Sequence, residues 1–84
     1  MDQYHPPIWV EFGRRAARRR RILGLTQQVV STQVGMPRSQ LSQLERGVYH
    51  GMQFVHLAAL ARILQTSSDY LLQLVDADPG PVPD

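Results

Sequence analysis

Between positions 38 and 46, Arg38, Ser39, Gln40, Ser42, Gln43 and Arg46 are interleaved with Leu41 and Leu44. On a helix this spacing turns the leucines inward. It leaves Ser39, Ser42, Gln43 and Arg46 outward, with Arg38 and Gln40 exposed in the first turn. The outer face is then polar but almost uncharged. A face meant only for solvation is more often lysine and glutamate, whereas glutamine, serine and arginine present the donors and acceptors that base edges match. Six arginines within residues 14–21 offer a second chemistry, attraction to a polyanion such as nucleic acid or an anionic membrane. That run fits a solvated helix face equally well. Catalysis lacks reagents: His5, His50 and His56 are the only histidines, no acidic residue or second histidine stands at metal-ligand spacing, and there is no cysteine. No metal, cofactor or enzymatic activity is expected.

Positioning these residues requires short helices. Apolar residues recur at three and four spacings, which predicts an all-α chain of five helices. Helix 1 is expected from Pro7 or Ile8 to Leu23, ahead of Gly24, with Ile8, Phe12, Ala16 and Leu23 on one face. Arg14, Arg18 and Arg21 then point to water, Arg19 falls on the apolar stripe and Arg20 on its flank. Helix 2 should start behind Thr26 and end at Val34-Gly35, and helix 3 should run from about Pro37 to Arg46. Between them Gly35 favours a positive φ, and Ser31 is small where the helices cross. Helix 4 fits Gln53 to Leu64 with Phe54, Leu57, Leu60, Ala61 and Leu64 inward. Helix 5 fits Ser68 to about Val75, capped by Ser67. Residues 1–7 read as an arm, 8–75 as the folded domain and 76–84 as a disordered, proline-rich acidic tail.

With 84 residues the chain is one small domain whose core is marginal, so a partner or second copy is expected. Its net charge of +2 is unevenly placed. Residues 1–50 hold eight arginines against Asp2, Glu11 and Glu45, a balance of +5, and residues 51–84 hold Arg62 against four aspartates, a balance of −3. No apolar run approaches the roughly 20 residues of a membrane span, and the first residues lack a signal-peptide layout. The expectation is a soluble chain that stays in the cytoplasm.

The segment from Leu25-Thr26-Gln27 through Ser31 and Gly35 to Ser39-Gln40-Leu41-Ser42-Gln43-Leu44-Glu45-Arg46-Gly47 resembles the phage-repressor, Cro-type helix-turn-helix domains, the XRE family. Leu60-Ala61-Arg62-Ile63-Leu64 and Ser67-Ser68-Asp69-Tyr70-Leu71-Leu72 are similar to its closing helices, so the resemblance runs from about Phe12 to Leu72. It implies a lambda-repressor-like five-helix bundle with helix 3 in the major groove of double-stranded DNA. Arg38, Ser39, Gln40 and Gln43 would contact bases, Arg38 gripping guanine and Gln43 adenine. Gln27, Ser42, Arg46, Tyr49 and His50 would contact the sugar-phosphate backbone. Arg20 would pair with Glu45 as a structural salt bridge. The resemblance also implies a transcriptional repressor of the prokaryotic or phage cytoplasm, associated with the nucleoid, and a homodimer on a palindromic operator. Leu71, Leu74 and Val75 offer an apolar edge for that dimer.

Three residues depart from the family pattern. Pro37 replaces the usual serine or threonine cap of helix 3, Gln65 stands where a helix-ending glycine is usual, and Arg19 replaces an apolar residue and would snorkel along the core. Two other readings remain beside DNA regulation. An antitoxin-like or adaptor protein could hold a partner polypeptide through Ile8, Trp9 and the Leu71, Leu72, Leu74, Val75 edge. Membrane-surface binding through the arginines is opposed by alanines where bulky apolar residues should face lipid.

Overall fold

The computed structural model describes residues 7–49 and 51–76, which form α1 (Pro7–Ile22), α2 (Gln27–Val34), α3 (Arg38–Glu45), α4 (Phe54–Ile63) and α5 (Ser68–Leu71). There is no strand among the described residues. Residues 1–6, His50 and residues 77–84 lie outside them, and with them most of the expected arm and tail. No helix is long and apolar enough to cross a membrane among the described residues.

Local chemistry accounts for most helix ends. Thr26 Oγ1 accepts from Val29 N at 3.1 Å and Ser67 Oγ from Tyr70 N at 3.0 Å, satisfying first-turn N–H groups that have no partner within the helix. After α2 the chain turns through Gly35 at φ 90, whose N–H donates to Ser31 O. Pro37 caps α3 by backbone shape alone, extended at φ −62 and ψ 145, with no side-chain bond. Its carbonyl instead accepts from Gln40 N and Leu41 N at 3.0 and 3.2 Å.

The core joins Phe12 and Ala16 of α1, Val30 and Val34 of α2, Met36, Leu41 and Leu44 around α3, Leu60, Ala61 and Leu64 around α4, and Tyr70 and Leu71 of α5. Two residues expected inside are outside: Phe54 is 81% exposed and Ile8 49%. Both occupy the first turns of their helices, and neither joins the buried core cluster. α5 also stops at Leu71, short of Val75. Gln73 adopts φ 67, and Leu74 N returns to Asp69 O at 2.8 Å, closing the helix. The turn brings the Gln73 side-chain amide to Ile8 O at 2.8 Å.

Two arginines of α1 are buried and bond the carbonyls that end other helices. Arg15 donates through Nη1 to Tyr70 O and Val75 O at 2.7 and 2.8 Å, with its guanidinium 4.6 Å from the Tyr70 ring centroid. Arg19, only 2% exposed, donates to Leu64 O and Gln65 O, both at 3.1 Å. Each places a cation on the carbonyls at a helix C-terminus, where the helix dipole is negative. Arg19 therefore does not snorkel. It holds the turn in which Gln65 takes φ 55 without being glycine. Arg14, Arg18 and Arg21 are exposed.

Glu11 joins Arg14 and Arg15, accepting from Arg14 Nε and Arg15 Nε at 2.8 Å each. Hydrogen bonds from Arg14 and then Arg15 lower its carboxyl from the usual 4.5 to about 2. A pKa depressed by folding stabilises the fold above the unfolded value, and that contribution is lost as pH falls through the folded one. Urea midpoints of wild type and Glu11→Gln should differ at pH 7 and converge between pH 4.5 and about 2. A difference that stays constant to pH 2 would show that the carboxylate contributes nothing.

Candidate nucleic-acid interface

The α2–α3 crossing is close because its contact residues are small or fully enclosed. Ser31 is 1% exposed and donates its Oγ to Gln28 O at 3.1 Å, while Val30, Leu41 and Leu44 are each 0% exposed. Sealing Leu41 and Leu44 inside fixes the rotation of α3 about its axis. Arg38, Ser39 and Gln43 consequently lie exposed on one side, with Arg46 beyond the helix end. Gln40 and Ser42 are half-buried at the edges of that face. Arg46 Nε donates back to Ser42 O at 3.3 Å, which holds its stem along the helix.

Beneath this face lies a buried polar cluster. Arg20 grips Glu45 through two bonds, Nε to Oε2 at 2.7 Å and Nη2 to Oε1 at 3.0 Å. Its Nη1 donates to Leu25 O at 2.9 Å. The two side chains are 13% and 6% exposed. The hydrogen bond to Glu45 raises the Arg20 pKa further above its already high ordinary value, keeping the guanidinium charged. Gln27 also enters this cluster, donating from Nε2 to Glu45 Oε1 at 2.9 Å. One carboxylate thus ties together α1, the start of α2 and the end of α3, and sets the angle at which α3 is presented.

The remaining site residues are placed differently. Tyr49 is half-buried and packs against the core, and His50 lies outside the described residues. His56 is half-buried, and its Nδ1 is buried without a hydrogen-bond partner. Sequence reasoning missed Gly13, although it governs the approach of α1 to α3: a Cβ there would overlap Leu44 O and lie 2.8 Å from Glu45 O. Its only signal was a glycine inside a helix, where alanine is usually preferred.

A helix-turn-helix domain family matches residues 11–75. The restriction-modification controller protein C.AhdI from Aeromonas hydrophila superposes with a TM-score of 0.68 at 30% identity, over 75% of this chain and 94% of that one. The P22 c2 repressor, solved with synthetic operator 9T, gives a TM-score of 0.69 at 35% identity, over 74% and 92%. The N-terminal DNA-binding domain of SinR from Bacillus subtilis shares the fold at 24% identity, with a TM-score of 0.67 over 73% and 88%. No curated protein sequence matches the chain. Since the family match spans most of the sequence, includes the α2–α3 crossing, and is joined by the structures of a controller protein and a repressor at 30% identity or more, the chain belongs to the helix-turn-helix domain family.

Proposed function

We propose that this protein is a sequence-specific double-stranded DNA-binding regulator that represses transcription as a homodimer on a palindromic operator. The observation that carries this reading is the presentation of α3. Its leucines are sealed in the core while Arg38, Ser39 and Gln43 stand exposed on a nearly uncharged face. A helix held this way fits the major groove, with its first residues toward base edges. The likeness to the P22 c2 repressor supports it.

Arg38 reads guanine through its two-pronged guanidinium, Gln43 reads adenine, and Ser39 and Gln40 contact neighbouring bases. Ser42, Arg46, Tyr49 and His50 hold the sugar-phosphate backbone. Gln27 keeps one amide N–H on Glu45 and has a second to donate to a phosphate. Residues 8–75 form the binding domain, with residues 1–7 as an arm and 76–84 as an acidic tail. The protein works in the cytoplasm, on the nucleoid.

Selection from random duplexes should recover a two-fold motif. Arg38→Ala and Gln43→Ala should each erase preference at one position per half-site, a loss of about 1–3 kcal/mol of discrimination. Gln27→Ala should weaken binding evenly across sequences, and all affinities should fall steeply with salt. Recovery of no motif would end the sequence-specific reading.

A further inference from the structure

We propose that Arg18 and Arg21, on the outer face of α1, hold the phosphate backbone of the duplex just outside the half-site that α3 reads. The inference deepens the DNA-binding reading above and rests on it. At about 100° per residue, Arg14, Arg18 and Arg21 fall within about 60° of one another, and all three are exposed. The other arginines of the run serve the fold, Arg15 and Arg19 on helix-ending carbonyls and Arg20 on Glu45. Arg14 is muted by Glu11, which it meets through hydrogen bonds of 2.8 and 2.6 Å. Glu11 is thereby committed to Arg14 and Arg15, and Glu45 to Arg20 and Gln27. Arg21 forms no ion pair with any described residue.

Position ties this stripe to the half-site. Gly24 N and Leu25 N donate to the carbonyls of Arg21 and Arg20, each at 3.0 Å, so Arg21 stands at the turn that leads directly into Thr26 and Gln27. Gln27 carries the amide N–H assigned above to a phosphate. A backbone that passes Gln27 and continues beyond the half-site meets Arg21 next, and Arg18 one turn back along α1. Three residues of helix rise about 4.5 Å, close to the roughly 3.4 Å that separates successive phosphates of one strand along the duplex axis.

Chemistry favours phosphate on DNA over a lipid surface. The forked guanidinium fits phosphate oxygens two at a time. A helix lying on a membrane also needs an apolar face beneath the headgroups. In α1 that face is in the core, with Phe12 and Ala16 each 1% exposed and Ala17 4%. The apolar residues that α1 exposes, Ile8, Val10 and Ile22, are spread around it rather than aligned. Backbone contacts carry no sequence information, so this stripe adds affinity and salt dependence without changing which bases are read. Each phosphate neutralised adds about 0.9 to the slope of log affinity against log salt.

The duplex recovered by selection, trimmed to its motif, is to be compared with the same duplex extended by about ten base pairs, one helical turn, at each end. Anisotropy titrations between about 50 and 200 mM salt give the slopes. The double variant Arg18→Gln, Arg21→Gln should keep the wild-type Tm and the wild-type slope on the trimmed duplex. On the extended duplex its slope should be shallower by about 2, so its affinity falls about tenfold less than that of wild type over this salt range. Arg21→Gln alone should give about half that change. Arg62→Gln removes the same unit charge from an exposed position on α4 and should leave both slopes at wild type. An unchanged slope on the extended duplex overturns the proposal and leaves the DNA reading standing. An equal fall on both duplexes, or the same fall from Arg62→Gln, also overturns it by showing diffuse attraction only. So does binding to phosphatidylserine vesicles that the double variant loses while its duplex slopes stay at wild type. If the wild type binds neither duplex, the DNA reading itself falls.

Discussion

Glu45→Ala is expected to destabilise the fold by about 3–5 kcal/mol, the range for removing one partner of a buried ion pair. The magnitude follows from what the carboxylate leaves behind. Arg20, 13% exposed at its side chain, would keep its charge with only Leu25 O as partner, and the Gln27 amide would lose its acceptor. A small domain holds roughly 5–15 kcal/mol in total, so the transition in urea should move far toward zero denaturant. Exposed pairs contribute only about 0–1 kcal/mol, and a loss that small would show that water screens the cluster. Replacing both partners by apolar residues, as in Arg20→Met with Glu45→Leu, should recover much of the stability, because no buried charge is then left unpaired. The same double variant should still weaken DNA binding. Gln27 would have lost its anchor, and the end of α3 would no longer be tied to α1.

Gly13→Ala carries the second large effect, and its sign separates two ways of reading the position. Helix propensity alone favours alanine by about 1 kcal/mol. The structure says the reverse, because the new Cβ would overlap the Leu44 carbonyl and lie 2.8 and 2.9 Å from the Glu45 carbonyl oxygen and carbon. These are backbone atoms at the C-terminal end of α3, and they cannot swing aside as a flexible side chain can. Overpacking of this kind costs about 1–3 kcal/mol and sometimes more. A net loss of about 2 kcal/mol is therefore expected by thermal or urea unfolding. A stabilised variant would mean that α1 can lift off α3 freely. Gly47 belongs to the same contact, since a Cβ there would lie 2.8 Å from Val10 Cα, so the glycines on both sides let α1 settle against the end of α3.

How much was legible in advance depended on the range of each interaction. The caps at Thr26 and Ser67 and the left-handed turn at Gly35 follow from residue types acting over three or four positions, and the structure has them. The inward leucines of α3 follow from helical spacing in the same way. Phe54 and Ile8 lie outside because a helical wheel reports a face without saying which turns of it a neighbouring element covers with side chains. α5 was drawn too long for a related reason: Gln73 at φ 67 is a conformation that nothing in its residue type announces.

The arginine run shows the division most plainly. By itself the sequence determined an all-α bundle, a close helix-helix turn between Thr26 and Gly47, and a polar outer face at Arg38, Ser39, Gln40 and Gln43. Only the tertiary structure decided that Arg15 and Arg19 turn inward onto the carbonyls that end α5 and α4, that Gln27 shares Glu45 with Arg20, and that Gly13 must have no side chain. The reason is distance along the chain. These side-chain bonds join residues 18 to 60 positions apart. Composition and periodicity place a residue on a face, and packing alone decides which carbonyl or carboxylate waits there.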